Sequence, residues 1–168
     1  MPLSRAQFES FYNERRLEIY RYILSLQLPA ADAQELTQEA FLRLFQEIES
    51  GGSGAVDHPR AWLFRVAHNL AIDVHRRYEA QGAESPTSAY ATARDRGDIP
   101  EIAVLGKERT RLLMEAIASL SKQQRACLHL RAEGLRYREI AEVLGVSTPT
   151  VGEFLQRAIK RMRAAIYG

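Results

Sequence analysis

A chain of 168 residues with 46% hydrophobic residues has room for one domain or two small ones, each with a real core. Its net charge is only +2, and no run of about 18 apolar residues exists to span a membrane as a helix. The single cysteine, Cys127, excludes an intramolecular disulfide and fits a reducing cytoplasm; the opening MPLSRAQFESFYNERR lacks the basic-then-apolar layout of a signal peptide.

Long alternating β-branched runs are absent, so the expected fold class is all-α: two small helical domains joined by a flexible linker, the second a helix-turn-helix. The first predicted helix runs from about Arg5 to Leu26, with Phe8, Phe11, Tyr12, Ile19, Ile23 and Leu26 inward. The second runs from about Ala31 to Ile48 and turns Leu36, Ala40, Phe41, Leu44, Phe45 and Ile48 inward. Its outer side carries Asp32, Glu35, Gln38, Glu39, Glu47 and Glu49 against one base, Arg43, a face suited to a basic partner surface. The flexible stretch SGGSGAVDHP follows, and Pro59 opens a third helix to about Glu79. There Arg60, Arg65, Arg76 and Arg77 are interleaved with Trp62, His68, Asn69 and His75. Cations hold phosphates, rings stack on bases and amides read base edges, so this mixture suits single-stranded nucleic acid. Trp62 also satisfies the spacing of an ordinary core residue.

Residues 81–104 include GAESPTSAYATARDRGDIP, rich in small and polar residues with no sustained apolar period, and read as a linker. An amphipathic helix is expected from Ile102 to Leu120, then another from Lys122 to Ala132 with Gly134 as its C-terminal cap. Cys127 lies with Leu128 and Leu130 and reads as core. Ile140, Ala141 and Leu144 form the stripe of a short helix from Tyr137 to Leu144; Gly145 makes the turn, Val146 fills the space between helices, and Ser147 caps the last helix. That helix sets Val151, Leu155, Ala158, Ile159 and Met162 on one face. The other face shows Thr148, Thr150, Gly152, Glu153, Gln156, Arg157, Lys160 and Arg161, the layout of a recognition helix in a major groove. Charge agrees: residues 105–168 hold 12 Lys+Arg and 6 Asp+Glu, or +6, against −2 for residues 1–80.

These segments together resemble the extracytoplasmic-function sigma factors, the compact class of bacterial RNA polymerase initiation factors. DAQELTQEAFLRLF is similar to the family's polymerase-docking helix, which implies docking roles for Asp32, Glu35, Gln38, Glu39 and Arg43. PRAWLFRVAHNLAIDVHRR is similar to the segment that melts and reads the minus-ten element, which implies Arg60, Trp62, Arg65, Asn69, Asp73, Arg76 and Arg77 as contacts to that DNA. LSKQQRACLHLRAEGLRYREIAEVLGVSTPTVGEFLQRAIKRMR is similar to the domain that reads the minus-thirty-five element, through Thr148, Thr150, Gly152, Glu153, Gln156, Arg157 and Lys160. The implied division is residues 1–80 for docking and melting, 81–104 for a linker threading the polymerase, and 105–168 for minus-thirty-five binding. The implied partners are core RNA polymerase, promoter DNA and, for some members, an anti-sigma factor. In the linker, Glu84, Asp95, Asp98 and Glu101 are compatible with mimicry of RNA.

Five positions depart from the family pattern: Arg136 stands where a small hydroxyl residue usually caps the first helix of the motif, Ser121 replaces a proline, and Gly152, Glu153 and Phe154 replace a basic residue, a serine and an arginine. No HEXXH arrangement, CXXC pair or phosphate loop is present, so neither an enzyme nor a cofactor is expected. The competing reading is a stand-alone helix-turn-helix regulator with an N-terminal partner domain. The basic helix from Arg60 to Arg77 has no role in such a protein.

Overall fold

The computed structural model describes residues 3–52, 57–82 and 106–168. Among them the chain forms helices α1 (Arg5–Ser25), α2 (Ala30–Glu49), α3 (Pro59–Ala80), α4 (Lys107–Ser119), α5 (Lys122–Ala132), α6 (Tyr137–Leu144) and α7 (Thr148–Tyr167), and no strand. It divides into two compact units, Met1–Ser88 and Ala89–Gly168. The linker carboxylates Glu84, Asp95, Asp98 and Glu101 lie outside the described residues, as does most of the glycine-rich stretch before Asp57. The expected fourth helix is described only from Lys107.

In the first unit α2 packs on both α1 and α3, and α1 on α3. The Ser4 N–H and hydroxyl both donate to Gln7 Oε1, at 3.1 and 3.0 Å, and so fix the start of α1. Aromatic rings join α1 to α2: Phe8 meets Phe45 and Tyr12 meets Phe41 edge-on, with centroids 5.2 and 4.9 Å apart. Low residue numbers on α1 meet high ones on α2, so the two helices run antiparallel. Phe8, Phe11 and Tyr12 remain half-buried, and the deepest part of the core is Ile19, Tyr22 and Ile23 with Phe41, Leu44, Leu63 and Phe64. Each such side chain contributes about 1.5–3 kcal/mol through the apolar area it removes from water.

In the second unit α7 packs on α4, α5 and α6. Ser121 makes a reciprocal cap: its hydroxyl accepts the Gln124 N–H at 3.1 Å, and the Gln124 side-chain oxygen accepts the Ser121 N–H at 3.2 Å. Gly134 ends α5 at φ 89°, which sends the Leu135 N–H back to the Leu130 carbonyl at 3.1 Å. Gly145, at φ 68°, makes the turn between α6 and α7. Cys127 is buried; its thiol reaches the Val151 carbonyl at 3.7 Å and joins α5 to α7.

Two expectations for α7 are corrected. Val151, Leu155 and Ala158 are buried, but Ile159 is 44% exposed. The inward stripe advances from 155 to 158 to 162, and residue 159 has already turned about 100° out of it. Arg161, read as part of the outer face, donates to the Ser119 carbonyl at the end of α4.

Candidate nucleic-acid interface

The helix-turn-helix is formed by α6 and α7. Ser147 caps α7 by accepting the Thr150 N–H at 3.3 Å, while the two hydroxyls lie 2.8 Å apart. Thr150 is thus engaged in the cap and half-buried. Thr148, Glu153, Gln156, Arg157 and Lys160 are exposed along α7, and Gly152 is half-buried among them. A Cβ at Gly152 would sit 3.9 Å from the Tyr137 ring, an ordinary contact. Tyr137, which opens α6 and is 42% exposed, lies under the Arg131 guanidinium at 5.5 Å from its ring centroid. The pattern of α7 alone gave no sign that an aromatic ring from α6 borders its outer face at Gly152. Arg136 supplies no side-chain cap hydrogen bond; the Glu139 carboxylate accepts the Arg136 N–H at 2.9 Å, the other half of a capping box.

In the first unit the polar residues of α3 separate into two groups. Arg65, Asn69, Asp73 and Arg76 form an exposed stripe at spacings of four, four and three, with Trp62 half-buried three residues before it. Asp73 and Arg76 lie 3.9 Å apart within it. The other group faces α1. Arg60 donates from Nε to Glu18 Oε1 at 2.6 Å, and its guanidinium lies 5.6 Å from the Phe64 ring centroid. Glu18, with a side chain only 10% exposed, also accepts from Arg15 at 3.1 Å. His68 Nδ1 lies 2.8 Å from the Tyr22 hydroxyl, and His75 Nε2 donates to the Leu26 carbonyl at 2.6 Å. The two histidines, read as part of the nucleic-acid face, are therefore turned inward: their spacing of seven puts them on the side of α3 that meets α1. Burial pushes the His68 pKa down to about 4, so the ring is neutral at pH 7. Sequence reasoning missed Glu18 and Tyr22 as the partners of Arg60 and His68. An acid and a phenol on the same side as Ile19 and Ile23 were the available signal.

On α2, Ala33, Leu36, Ala40, Phe41 and Leu44 are buried, and the opposite side carries Glu35, Gln38 and Arg43 exposed with Asp32 and Glu39 half-exposed. Glu39 and Arg43 pair at 3.0 Å. Asp32 accepts the Tyr78 hydroxyl at 2.5 Å, which raises the phenol pKa. Asp32 and Glu35 border an open groove of about 280 Å³ with Leu36, Val74, Arg77, Tyr78 and Gln81. Arg77 thus lies between the stripe and the acidic face.

The first unit thus presents an acidic face and a separate basic, amide and aromatic stripe, and the second a helix-turn-helix. Residues 11–81 match the family model for sigma-70 region 2, and residues 110–162 match that for sigma-70 region 4. The chain is 31% identical over 162 residues to the ECF RNA polymerase sigma factor SigL of Mycobacterium tuberculosis, covering 96% of this chain and 89% of that protein. It is 26% identical over 164 residues to the ECF sigma factor SigK of Mycobacterium bovis, covering 95% and 85%. The fold is similar to that of the sigma factor RpoE of Bartonella quintana, solved with the anti-sigma factor NepR (TM-score 0.65, 20% identity, 96% and 97% covered). It is also similar to CnrH, solved with the cytosolic domain of CnrY (TM-score 0.62, 19% identity, 96% and 88% covered). The chain belongs to the ECF sigma factors of bacterial RNA polymerase. It is an alternative sigma factor, acting with core RNA polymerase and promoter DNA to direct transcription initiation.

Proposed function

We propose that residues 1–80 dock core polymerase and open the minus-ten element, and that residues 105–168 read the minus-thirty-five element, with residues 81–104 as the connection. The observation that carries this reading is the segregation of charge within the first unit. Asp32, Glu35, Gln38, Glu39 and Arg43 lie on α2, whereas Trp62, Arg65, Asn69, Asp73 and Arg76 line an outward stripe of α3. The α2 face docks the polymerase. The α3 stripe contacts the strand released by melting: Arg65 and Arg76 hold phosphates, Asn69 reads a base edge, and the Trp62 ring offers a stacking platform. Arg77, beside Asp32 and Glu35 in the groove, belongs to the edge of this surface. Arg60 braces the helix through Glu18 rather than gripping DNA.

In the second unit Thr148, Glu153 and Gln156 face bases and Arg157 and Lys160 hold phosphates. Gly152 contributes an open place beside Tyr137 rather than a contact of its own, and Thr150 serves the cap. The protein supplies recognition and strand separation without bond-making chemistry or a cofactor, and it works in the cytoplasm. An anti-sigma factor covering either face would silence it.

Charge reversal at Glu35 and Glu39 should abolish retention by core polymerase in a pull-down. Alanine at Asn69, Arg76 and Arg77 should leave retention intact and reduce permanganate reactivity of minus-ten thymines. Loss of core binding alone in both sets would sink this division of labour.

A further inference from the structure

Three polar contacts tie α3 to α1, in the same order along both helices. On the α1 side the partners are Glu18, Tyr22 and the carbonyl of Leu26, at i, i+4 and i+8; on α3 they are Arg60, His68 and His75, eight and seven residues apart. Both series follow one face of a helix and advance in the same chain direction, so α1 and α3 run parallel with three rungs between them. Leu63, Phe64, Ala67 and Ala71 supply the buried apolar contact. Apolar contact is non-directional and by itself resists rotation weakly, whereas a hydrogen bond weakens steeply with angle and distance. The rungs therefore add a directional restraint on the rotation of α3, and that rotation decides where Trp62, Arg65, Asn69, Asp73 and Arg76 point. The first rung stands at the start of α3, where His58 makes no side-chain cap and the stripe begins at Trp62.

We infer that Glu18 is a positioning residue for promoter opening: through Arg60, and with the Tyr22–His68 and Leu26–His75 rungs, it holds α3 in the rotation that presents the stripe to the minus-ten strand. This rests on the stripe being the minus-ten surface, and the experiment separates the two. Holoenzymes carrying Glu18→Gln, Arg60→Lys or Asn69→Ala are compared with the unaltered protein for core retention, for thymine reactivity at minus ten, and for preference among minus-ten sequence variants. Glu18→Gln keeps the shape of the side chain and removes its charge; Arg60→Lys keeps the charge and removes the forked guanidinium. Both should retain core polymerase and lower opening by roughly tenfold or more, since misplacing a positioned group by about 1 Å can cost on the order of 100-fold. Both should also flatten the preference among minus-ten variants, which a loss of folded protein alone would not do. Should Glu18→Gln melt below the assay temperature, Arg60→Lys carries the same test. Normal opening and preference in Glu18→Gln and Arg60→Lys, with Asn69→Ala impaired, would overturn the positioning role and leave the minus-ten surface standing. Normal opening in all three would overturn the minus-ten surface itself. Core retention and opening reduced in equal proportion, with preference unchanged, would make the rungs mere stabilisers and also overturn the inference.

Discussion

His68 shows how one buried contact becomes a pH dependence. Its pKa is about 4 in the folded chain and 6.5 when unfolded. Between these values the unfolded state binds more protons, so stability contributed by the neutral ring is fully present above pH 6.5 and is lost as pH falls toward 4. The full shift corresponds to about 3 kcal/mol. Melting curves from pH 7.5 to 4.5 should show the first unit losing stability across this window, with His68→Gln flattening the trend; parallel curves would mean other groups dominate. Cys127 is the second informative residue. Burial pushes its thiol up to about 11, and the side chain is shut between α5 and α7. A disulfide reagent at pH 7.5 should modify it only at the rate of unfolding, and a fast reaction with the folded chain would contradict its placement in the core.

Among the elements, two of the departures of α7 from its family, Gly152 and Glu153, have different consequences. Gly152 costs helix stability, and the nearest atom to an added Cβ is 3.9 Å away. Gly152→Ala should therefore stabilise the second unit by about 0.5–1 kcal/mol, read as a rise in melting temperature. Glu153 is exposed on the outward face with Gln156, and a carboxylate there is repelled by phosphate unless it accepts from a cytosine amino group. Glu153→Ala and Gln156→Ala should each cost about 1–3 kcal/mol at one promoter position and change the preferred minus-thirty-five sequence, whereas Lys160→Ala should lower activity on all sequences alike. Transcription from a randomised minus-thirty-five library scores both. Unchanged preference in the double variant would mean that another face of α7 enters the groove.

For the whole molecule, the modest charge limits what the chain does alone. Residues 105–168 carry +6, and outward cations on α7 such as Arg157 and Lys160 are few. Few phosphate contacts release few counterions, so duplex affinity falls to a level that near-physiological salt removes. The free protein should fail to shift promoter duplex in a gel at that salt, while holoenzyme shifts it. Nanomolar binding by the isolated chain as a dimer would favour a stand-alone regulator and contradict dependence on polymerase.

Helix order, the Ser147 cap, the Gly134 and Gly145 turns and the acidic side of α2 were legible in the sequence. Each depends on interactions within a few residues, where spacing and residue type suffice. The helix-turn-helix was legible for the same reason: a cap, a turn and an apolar stripe are local. Composition and spacing could not say which polar residues of α3 reach solvent. Arg60, His68 and His75 read as nucleic-acid ligands, since an arginine or histidine on an amphipathic helix carries no mark of its partner. Tertiary structure gave them other partners by bringing Glu18 and Tyr22 of α1 and the Leu26 carbonyl at its end within hydrogen-bond reach, 42 to 49 residues away in sequence. Tyr137 became a neighbour of Gly152 in the same way, through the packing of α6 on α7. A polar group taken out of water must find a partner, and for Arg60, His68 and His75 the partner lies beyond their own helix.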